Sequence, residues 1–352
     1  MSERTPDRGA AAVLEVEDLT VHFRTPRGIV HAVDSVSVTV GGGEMLGLVG
    51  ESGSGKTVMS RAILGLTPRG AVETVSGSIR YRGRELLGLP EPDLRRVRGR
   101  EIAMIFQDPM TALNPVMKIG TQISEPLRHH LGMSRAQAHR RAVELLDQVG
   151  IPSADRRASD YPHHLSGGMR QRVVIAIALS CEPTVLIADE PTTALDVTVQ
   201  AQILDLLQQL QRERQMAVIL VSHDLEVVGG RADRIAVMYA GRIVEQAPAD
   251  VLFSHPRMPY SEALLRSAPR LDQPGHTRLS AIPGRPPSPI DPPPGCRFAP
   301  RCERVAERCR AEEPVLAAGA LVGSGLGPRA GAEDVTRRHT YRCWYPINPE
   351  AG

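Results

Sequence analysis

Aromatic residues are scarce in this chain, at 3% of 352 residues with a single Trp. Proteins that bind single-stranded nucleic acids stack bases on aromatic side chains, and few such platforms are available here. Neither sign of charge predominates, because the chain has 42 Lys and Arg and 40 Asp and Glu, which gives a formal net charge of +2. A basic nucleic-acid-binding surface is therefore not predicted, and we expect no nucleic-acid partner.

Long apolar runs are missing as well. No run reaches the ~18 residues that a membrane-spanning helix requires. The first residues include Glu3, Arg4, Asp7 and Arg8 and lack the apolar core of a signal peptide. We therefore expect a cytoplasmic protein that reaches a membrane only through partners. The length and the 41% hydrophobic content suit one large α/β domain with an extension.

Cysteine is rare until the end of the chain. Cys181 stands alone and is most simply a small buried apolar residue. Four more lie after residue 295, spaced C-x5-C and C-x6-C with a long interval to the last: Cys296, Cys302, Cys309 and Cys343. In a reducing compartment this cluster indicates metal or cluster ligands rather than disulfides, although its spacing is not the C-x2-C of common zinc sites.

Hydrophobic periodicity predicts a doubly wound α/β core. Residues 13–23 and 36–40 alternate between apolar and polar, which is typical of half-buried antiparallel strands. Residues 45–49 form an apolar strand that enters a glycine-rich loop. Two more continuous apolar runs, 185–188 and 218–221, are typical of buried parallel strands and flank a helical pattern.

Helices are predicted between about 107 and 165. Ser134 can cap a helix that ends near Gly150, and its apolar face is expected to comprise Ala142, Val143, Leu145, Leu146 and Val149. After residue 250 the chain becomes rich in proline, and residues 283–294 are expected to form a stiff, extended linker. Residues 1–12 are expected to be disordered, and residues 317–327 to form a flexible loop.

The strongest motif is a glycine-rich segment that follows an apolar strand. It consists of Gly50, Glu51, Ser52, Gly53, Ser54, Gly55, Lys56 and Thr57. This is a complete P-loop pattern, in which backbone N–H groups surround phosphate oxygens, the Lys reaches the β- and γ-phosphates and the Thr hydroxyl binds Mg²⁺. A plain glycine-rich turn at a strand end is the alternative.

Two further segments complete a nucleotide chemistry. Residues 185–188 deliver Asp189 and Glu190 at a strand end, where one carboxylate can hold Mg²⁺ and the other can polarise the attacking water; two solvated acids are the alternative. Ser166, Gly167 and Gly168 precede an apolar helix and so offer a second phosphate-binding surface. One chain does not need two such surfaces, but a dimer does if each nucleotide lies between two subunits.

Residues 165–171, which end at Gln171, resemble the signature motif of ABC ATPases. Gln107 is similar to that family's Q-loop glutamine, which contacts Mg²⁺, and His223 to its switch histidine, which contacts the γ-phosphate. Residues 194–196, with Asp196, are similar to the D-loop at the dimer interface. Phe23 lies where the family's adenine-stacking aromatic falls, a strand-core aromatic being the alternative, and Val58 belongs to the implied ATP-binding set.

The resemblance implies a fold and a domain organisation. The fold is an α/β P-loop ABC ATPase core with a mixed sheet flanked by helices, an antiparallel β subdomain and a helical subdomain. The nucleotide-binding domain would span residues 13–254, and a C-terminal extension residues 255–352. The cofactors implied are ATP and Mg²⁺, the latter bound by Thr57, Gln107 and Asp189.

Residues 50–57, 106–115 and 188–200 resemble the ATPases of dipeptide and oligopeptide importers, a family that includes nickel importers. The tail after His255 does so too, and the likeness is closest to the D-type subunit. It implies a second, related ATPase chain, two transmembrane permeases, an indirectly coupled extracytoplasmic solute-binding protein and a place at the cytoplasmic face of the membrane. It also implies a [4Fe–4S] cluster on the four late cysteines, with zinc, free thiols or disulfides as alternatives.

Three other functions remain open on the sequence alone. A non-transport ABC ATPase would usually carry long coiled coils or a second fused ATPase unit. An exporter ATPase would leave the peptide-importer tail unexplained. In a cluster-binding regulator the tail would be the functional part.

Overall fold

The computed structural model describes residues 12–68, 70–193, 195–267, 282–319 and 339–347. The predicted disorder at residues 1–11 and the predicted loop at 320–327 lie outside these ranges. The chain divides into two compact units. The first unit comprises residues 1–41, 45–87 and 222–352, and the second comprises residues 42–44 and 88–221.

The described residues form twelve strands and twelve α-helices. The strands are β1 (Ala12–Thr25), β2 (Gly28–Gly41), β3 (Met45–Val49), β4 (Val72–Tyr81), β5 (Arg84–Glu85), β6 (Ile102–Ile105), β7 (Val185–Asp189), β8 (Ala217–Ser222), β9 (Arg234–Tyr239), β10 (Arg242–Pro248), β11 (Ala317–Gly319) and β12 (His339–Tyr341). The helices are α1 (Lys56–Ile63), α2 (Glu91–Val97), α3 (Pro109–Ala112), α4 (Ile119–Leu131), α5 (Arg135–Gln148), α6 (Ala154–Ala158), α7 (Gly167–Ala178), α8 (Val197–Arg214), α9 (Leu225–Gly229), α10 (Ala249–Ser254), α11 (Pro259–Ser267) and α12 (Glu307–Ala311).

The first unit contains an antiparallel sheet in the order β2-β1-β4-β5. The apolar residues of β1 are buried in two runs, Leu14 with Val16 and Leu19 with Val21. Side chains point to opposite faces with a period of two, so the three-residue step from Val16 to Leu19 requires the register shift that the strand pairing shows between these residues. The predicted pair of antiparallel strands is confirmed.

The same unit contains a second set of strands around β3. Strand β3 runs parallel to β9, and β10, β12 and β11 follow as antiparallel neighbours. All five residues of β3 are buried, as its unbroken apolar run predicts. The chain leaves β3 at Val49 and enters α1 at Lys56, so this strand and helix hold the glycine-rich loop between them.

The second unit contains the parallel strands β6, β7 and β8, with β7 in the middle. Helix α8 lies between β7 and β8 in the chain, which confirms the predicted strand–helix–strand pattern. Helices α3 to α7 supply its helical part. Helix α5 begins with a capping box, in which the Ser134 hydroxyl accepts from the Gln137 N–H at 3.4 Å and the Gln137 side chain accepts from the Ser134 N–H at 3.0 Å.

Three predictions need correction. Val143 is only half-buried, and Ala138 takes its place on the buried face of α5, because that face follows the i, i+4 row from 138. Residues 283–294 have no regular secondary structure and are packed rather than a free linker, since the His31 N–H donates to the Pro289 carbonyl at 2.8 Å. Residues 317–319 form β11 beside β12 instead of a loop.

None of the described helices combines the length and the apolar character that a membrane-spanning helix requires.

Candidate nucleotide-binding site

The glycine-rich loop is closed by backbone contacts that only glycine allows. Gly50 and Gly55 have φ angles of 156° and 108°. A Cβ at Gly50 would lie 2.0 Å from the carbonyl oxygen of Met238, and one at Gly55 would lie 2.2 Å from that of Ala32. Strands β2 and β9 of the first unit therefore press directly on the loop. Gly53, with φ of 79°, has open space beside its Cα.

The polar side chains of the loop are arranged for an anion. Lys56 is 4% exposed, and its Nζ donates to the carbonyls of Gly50 and Glu51 at 2.7 and 3.0 Å. Ser54 is buried, and its hydroxyl has no hydrogen-bond partner among the described residues. The loop precedes the first turn of α1, where Lys56, Thr57 and Val58 begin the helix and the positive end of the helix dipole favours negative charge. An unpartnered hydroxyl, a buried ammonium and a helix N-terminus fit the binding of phosphate.

Glu51 has partners that sequence reasoning missed. Its carboxylate accepts two hydrogen bonds from the Arg301 guanidinium, at 2.6 and 2.9 Å, and its backbone N–H donates to the Tyr260 hydroxyl at 2.9 Å. Arg301 lies 250 residues further along the chain. No local pattern in the sequence predicts contacts over that separation.

His223 and Phe23 also belong to the first unit. His223 is exposed in the turn that follows β8, where Asp224 caps α9 by accepting from the Glu226 N–H at 2.9 Å. Phe23 is half-buried in β1. Burial and the nearby His31 lower the pKa of His22, whose Nε2 lies 3.1 Å from Nδ1 of His31. The roles predicted for Phe23 and His223 stay predictions.

The acidic corner, which we define as Asp189 and Glu190, lies in the second unit at the end of β7. Asp189 is 1% exposed. The carboxylate of Glu190 accepts from the Gln107 amide and from the Thr193 hydroxyl, both at 3.1 Å, and its N–H donates to the Val221 carbonyl at 3.0 Å. Three neighbouring parallel strands therefore contribute to this corner, since Gln107 follows β6 and Val221 lies in β8.

The backbone at Glu190 is strained. Its φ angle is 47°, in the left-handed region that residues other than glycine rarely adopt. Such conformations cost about 1–3 kcal/mol each and cluster at functional sites. In this conformation its side chain accepts two hydrogen bonds and its N–H donates one.

Residues 166–171 surround the start of α7. The Ser166 hydroxyl caps the helix by accepting from the Met169 N–H at 3.4 Å. A Cβ at Gly168 would lie 2.6 Å from the Val199 side chain, so glycine lets α8 approach, whereas Gly167 is exposed. Gln171 is 1% exposed, and its Nε2 has no hydrogen-bond partner among the described residues. Its side chain thus lies inside the unit and not on the predicted phosphate-binding surface.

Asp196 caps α8 by accepting from the Val199 N–H at 3.0 Å and is exposed. Ala194, in the predicted D-loop, lies outside the described residues. The predicted Mg²⁺ ligands are divided between the units, with Thr57 in the first and Gln107 and Asp189 in the second. A hydroxyl, an amide and a carboxylate are oxygen donors that suit Mg²⁺. These roles stay predictions.

The comparisons with known proteins agree with this geometry. Residues 33–193 match the family model of the ABC transporter, and residues 244–309 match that of the oligopeptide/dipeptide transporter C-terminal region. A protein of Brucella abortus (strain 2308) named as a peptide import ATP-binding protein is 51% identical over 92% of this chain and 97% of its own. A second protein of that strain with the same description is 53% identical over 87% and 93%.

The chain belongs to the family of ABC transporter ATP-binding proteins. Similarity to solved structures shows that the chain has the ABC ATPase fold. A dimeric bacterial ABC transporter cassette has a TM-score of 0.60 and 28% identity, covering 67% of this chain and 98% of that one. The protein cbiO1 of Clostridium perfringens, part of an ABC transporter complex, has a TM-score of 0.59 and 27% identity, covering 69% and 91%.

The late cysteines of this ABC ATPase line one small cavity with Phe298 and Trp344. Burial raises the pKa of Cys296 to about 11 and that of Cys343 to about 12, and it also raises the pKa of Cys302. Within the described ranges, no three His, Cys, Asp or Glu side chains are arranged to hold a metal ion. Cysteine is the residue type that ligates iron–sulfur clusters, but the geometry of the described residues does not itself show a metal site. Cys181 is buried, as predicted.

Proposed function

We propose that this ABC ATPase subunit hydrolyses ATP to energise the import of dipeptides or oligopeptides. The observation that carries the proposal is the combination, in one chain, of a phosphate-binding loop with the peptide-importer C-terminal region at residues 244–309. The names of the Brucella relatives, which are half identical over most of this chain, support the same substrate class.

The phosphates of ATP would lie in the loop formed by residues 50–57, where Lys56 and the N-terminus of α1 face them. Phe23 would stack on the adenine. Mg²⁺ would be held by Thr57, Asp189 and Gln107, and when bound it neutralises phosphate charge. Catalysis in such sites is mostly positioning and electrostatic stabilisation.

Glu190 would orient the attacking water and accept its proton, since its carboxylate is already fixed by Gln107 and Thr193. His223 would stabilise the transferred phosphoryl group. Ser166, Gly167, Gly168 and Asp196 are exposed or half-exposed, so they can meet the nucleotide of a second ATPase chain. Buried Gln171 would support that surface from within and would not touch the nucleotide.

The wider assembly follows from the family. ABC importer ATPases work with permease subunits, and we propose two permeases, a second related ATPase chain and an indirectly coupled solute-binding protein. The subunit would lie at the cytoplasmic face of the membrane. We further propose that Cys296, Cys302, Cys309 and Cys343 bind a [4Fe–4S] cluster, whose thiolate bonds would fix the tail.

The central test is Glu190→Gln in the complex assembled with its permeases. We expect MgATP binding to persist and ATP turnover to fall about hundredfold or more, because the base is lost but the phosphate site is intact. Glu213→Gln, on the exposed side of α8, is the matched control and should change neither quantity. Unchanged turnover in Glu190→Gln would overturn its assignment as the catalytic base.

The substrate class has a separate test. Uptake of a labelled dipeptide and of Ni²⁺ by the wild-type complex distinguishes a peptide importer from a nickel importer.

The cysteine proposal is tested on anaerobically purified full-length protein by absorption and by iron, sulfide and zinc analysis. We expect about four irons per chain with a broad absorption band near 400 nm. One zinc and no iron, or neither metal, would overturn the cluster while leaving the ATPase assignment in place.

A further inference from the structure

Arg301 is a buried and fully hydrogen-bonded side chain of the C-terminal segment. Its side chain is 3% exposed, and all five of its N–H donors have acceptors. Two go to the Glu51 carboxylate, at 2.6 and 2.9 Å, and one to the Tyr239 hydroxyl at 3.3 Å. The others go to the carbonyls of Pro283 and Ile282, at 2.8 and 3.3 Å. A guanidinium bonded on every donor is fixed in place, because moving it would leave buried donors unpaired.

Glu51 connects this guanidinium to the phosphate-binding loop through three different groups of one residue. Its carboxylate binds Arg301, its N–H donates to the Tyr260 hydroxyl, and its carbonyl accepts from Lys56 Nζ. The carbonyl of Glu51 also accepts from the Ser54 N–H at 3.2 Å. The position of Glu51 therefore sets both the turn of the loop and the direction from which Lys56 is held.

An aromatic cluster packs next to the contact between Arg301 and Glu51. The rings of Tyr239, Tyr260 and Phe298 lie with centroids 4.4 to 5.4 Å apart. Burial raises the pKa of both tyrosines, so their hydroxyls stay protonated and can hydrogen-bond. Phe298 comes from the same short segment as Arg301, and Arg297 in that segment binds Asp34 of β2. Arg297, Phe298 and Arg301 of this short segment thus each contact other residues of the first unit.

We propose that Arg301, together with Tyr260, is a positioning residue for the phosphate-binding loop, so that the cysteine-bearing tail sets the nucleotide affinity of this subunit. The inference rests on the proposed ATP binding. Arg301 acts through Glu51 and not through a contact of its own with phosphate. Bidentate geometry matters, since a lysine at position 301 would offer a point charge in place of two parallel donors.

The experiment is a double-mutant cycle on the purified full-length chain, read out as the Kd of a fluorescent ATP analogue with Mg²⁺. We expect Arg301→Gln and Glu51→Gln each to weaken binding of the analogue about tenfold. The double variant should bind the analogue no more weakly than either single variant. In the assembled complex KM for ATP should rise while kcat changes little. Arg301→Lys should recover part of the affinity.

Arg310→Gln is the matched control, because it removes the same charge from an exposed position of the same segment. It should bind the analogue like wild type. If wild type itself does not bind, the proposed ATP site fails. If wild type binds and Arg301→Gln binds equally well, or if the two single losses simply add, the positioning role is overturned. If Arg301→Gln does not fold, the test rests on Glu51→Gln, whose substituted side chain is half-exposed. An unchanged affinity of Glu51→Gln for the analogue would then overturn the proposal.

Discussion

The phosphate-binding loop and the acidic corner each follow a buried strand, and the sequence predicts phosphate binding for the first and Mg²⁺ binding with catalysis for the second, but the two are held in different ways. The loop depends on groups far along the chain, including Met238, Tyr260 and Arg301. The acidic corner depends on Thr193, three residues away, and on the ends of the two neighbouring strands. The loop is therefore sensitive to distant segments of the first unit, whereas the corner is a strained turn stabilised within its own sheet.

The largest effect that this comparison predicts is at Gly55. A Cβ there would meet the carbonyl of Ala32 and the Met238 side chain, so Gly55→Ala should distort the loop. We expect MgATP binding to fall about hundredfold, by analogy with other losses of a preorganised phosphate site, as measured by titration of the purified chain. Gly53→Ala is the control, because the space beside Gly53 is open and only its positive φ opposes the change. Equal losses in both variants would mean that the distant backbone does not matter.

A smaller effect is expected at Asp34, which binds Arg297 of the tail and Arg242 of β10. Burial opposes ionisation of this carboxyl, but the two arginines outweigh burial, and its pKa lies below the ordinary value. A lowered folded-state pKa contributes stability that is complete above about pH 4 and is lost as the pH falls through the folded value. Asp34→Asn should lower the free energy of unfolding at neutral pH by about 2 kcal/mol.

The measurement for Asp34 is the free energy of unfolding from pH 7 down to acid. The wild type should lose stability below about pH 4, and Asp34→Asn should show a flatter dependence there. Asp291→Asn, at an exposed position of the tail, serves as the control and should follow the wild type. A variant with the wild-type acid dependence would show that the tail is not fastened through this pair.

The smallest effect concerns the acidic corner. Thr193→Val keeps the shape of the side chain and removes the hydroxyl that donates to Glu190. We expect kcat to fall about tenfold with nucleotide affinity unchanged, because one of the donors that hold the base is lost. Steady-state ATPase kinetics of the assembled complex provide the measurement, with Thr121→Val on the exposed face of α4 as the control. A loss of affinity instead would erase the distinction between the two regions.

Much of the site is predictable because its signals are local or periodic. The alternation in β1 and β2 marks their buried runs, and the apolar runs of β7 and β8 indicate parallel neighbours. Residues that follow such strands meet at one edge of the sheet, which is why Gln107 and Glu190 come together as the motifs imply. The helix start at Ser134 is predictable for a similar reason, because its capping partner Gln137 is only three residues away.

Other features could not be predicted, and each has a physical reason. The burial of Gln171 is not visible in a motif that marks neighbouring residues as exposed. Glu190 combines a left-handed backbone with hydrogen bonds to groups near the ends of two neighbouring strands, and no local residue propensity predicts this combination. The proline-rich stretch has the composition of a free spacer, yet its carbonyls find partners at His31 and Arg301.

The sequence by itself determined the chemistry of this ABC ATPase. A glycine pattern with Lys56 and Thr57, an apolar strand that ends in Asp189 and Glu190, and a Ser-Gly-Gly helix start leave little choice, because each demands particular residue types at short spacing. Only the tertiary structure decided what holds the phosphate-binding loop. The contact between Glu51 and Arg301 joins positions 250 residues apart. Such a pairing depends on the tertiary fold, which brings the C-terminal segment next to the loop, and no local sequence pattern predicts it.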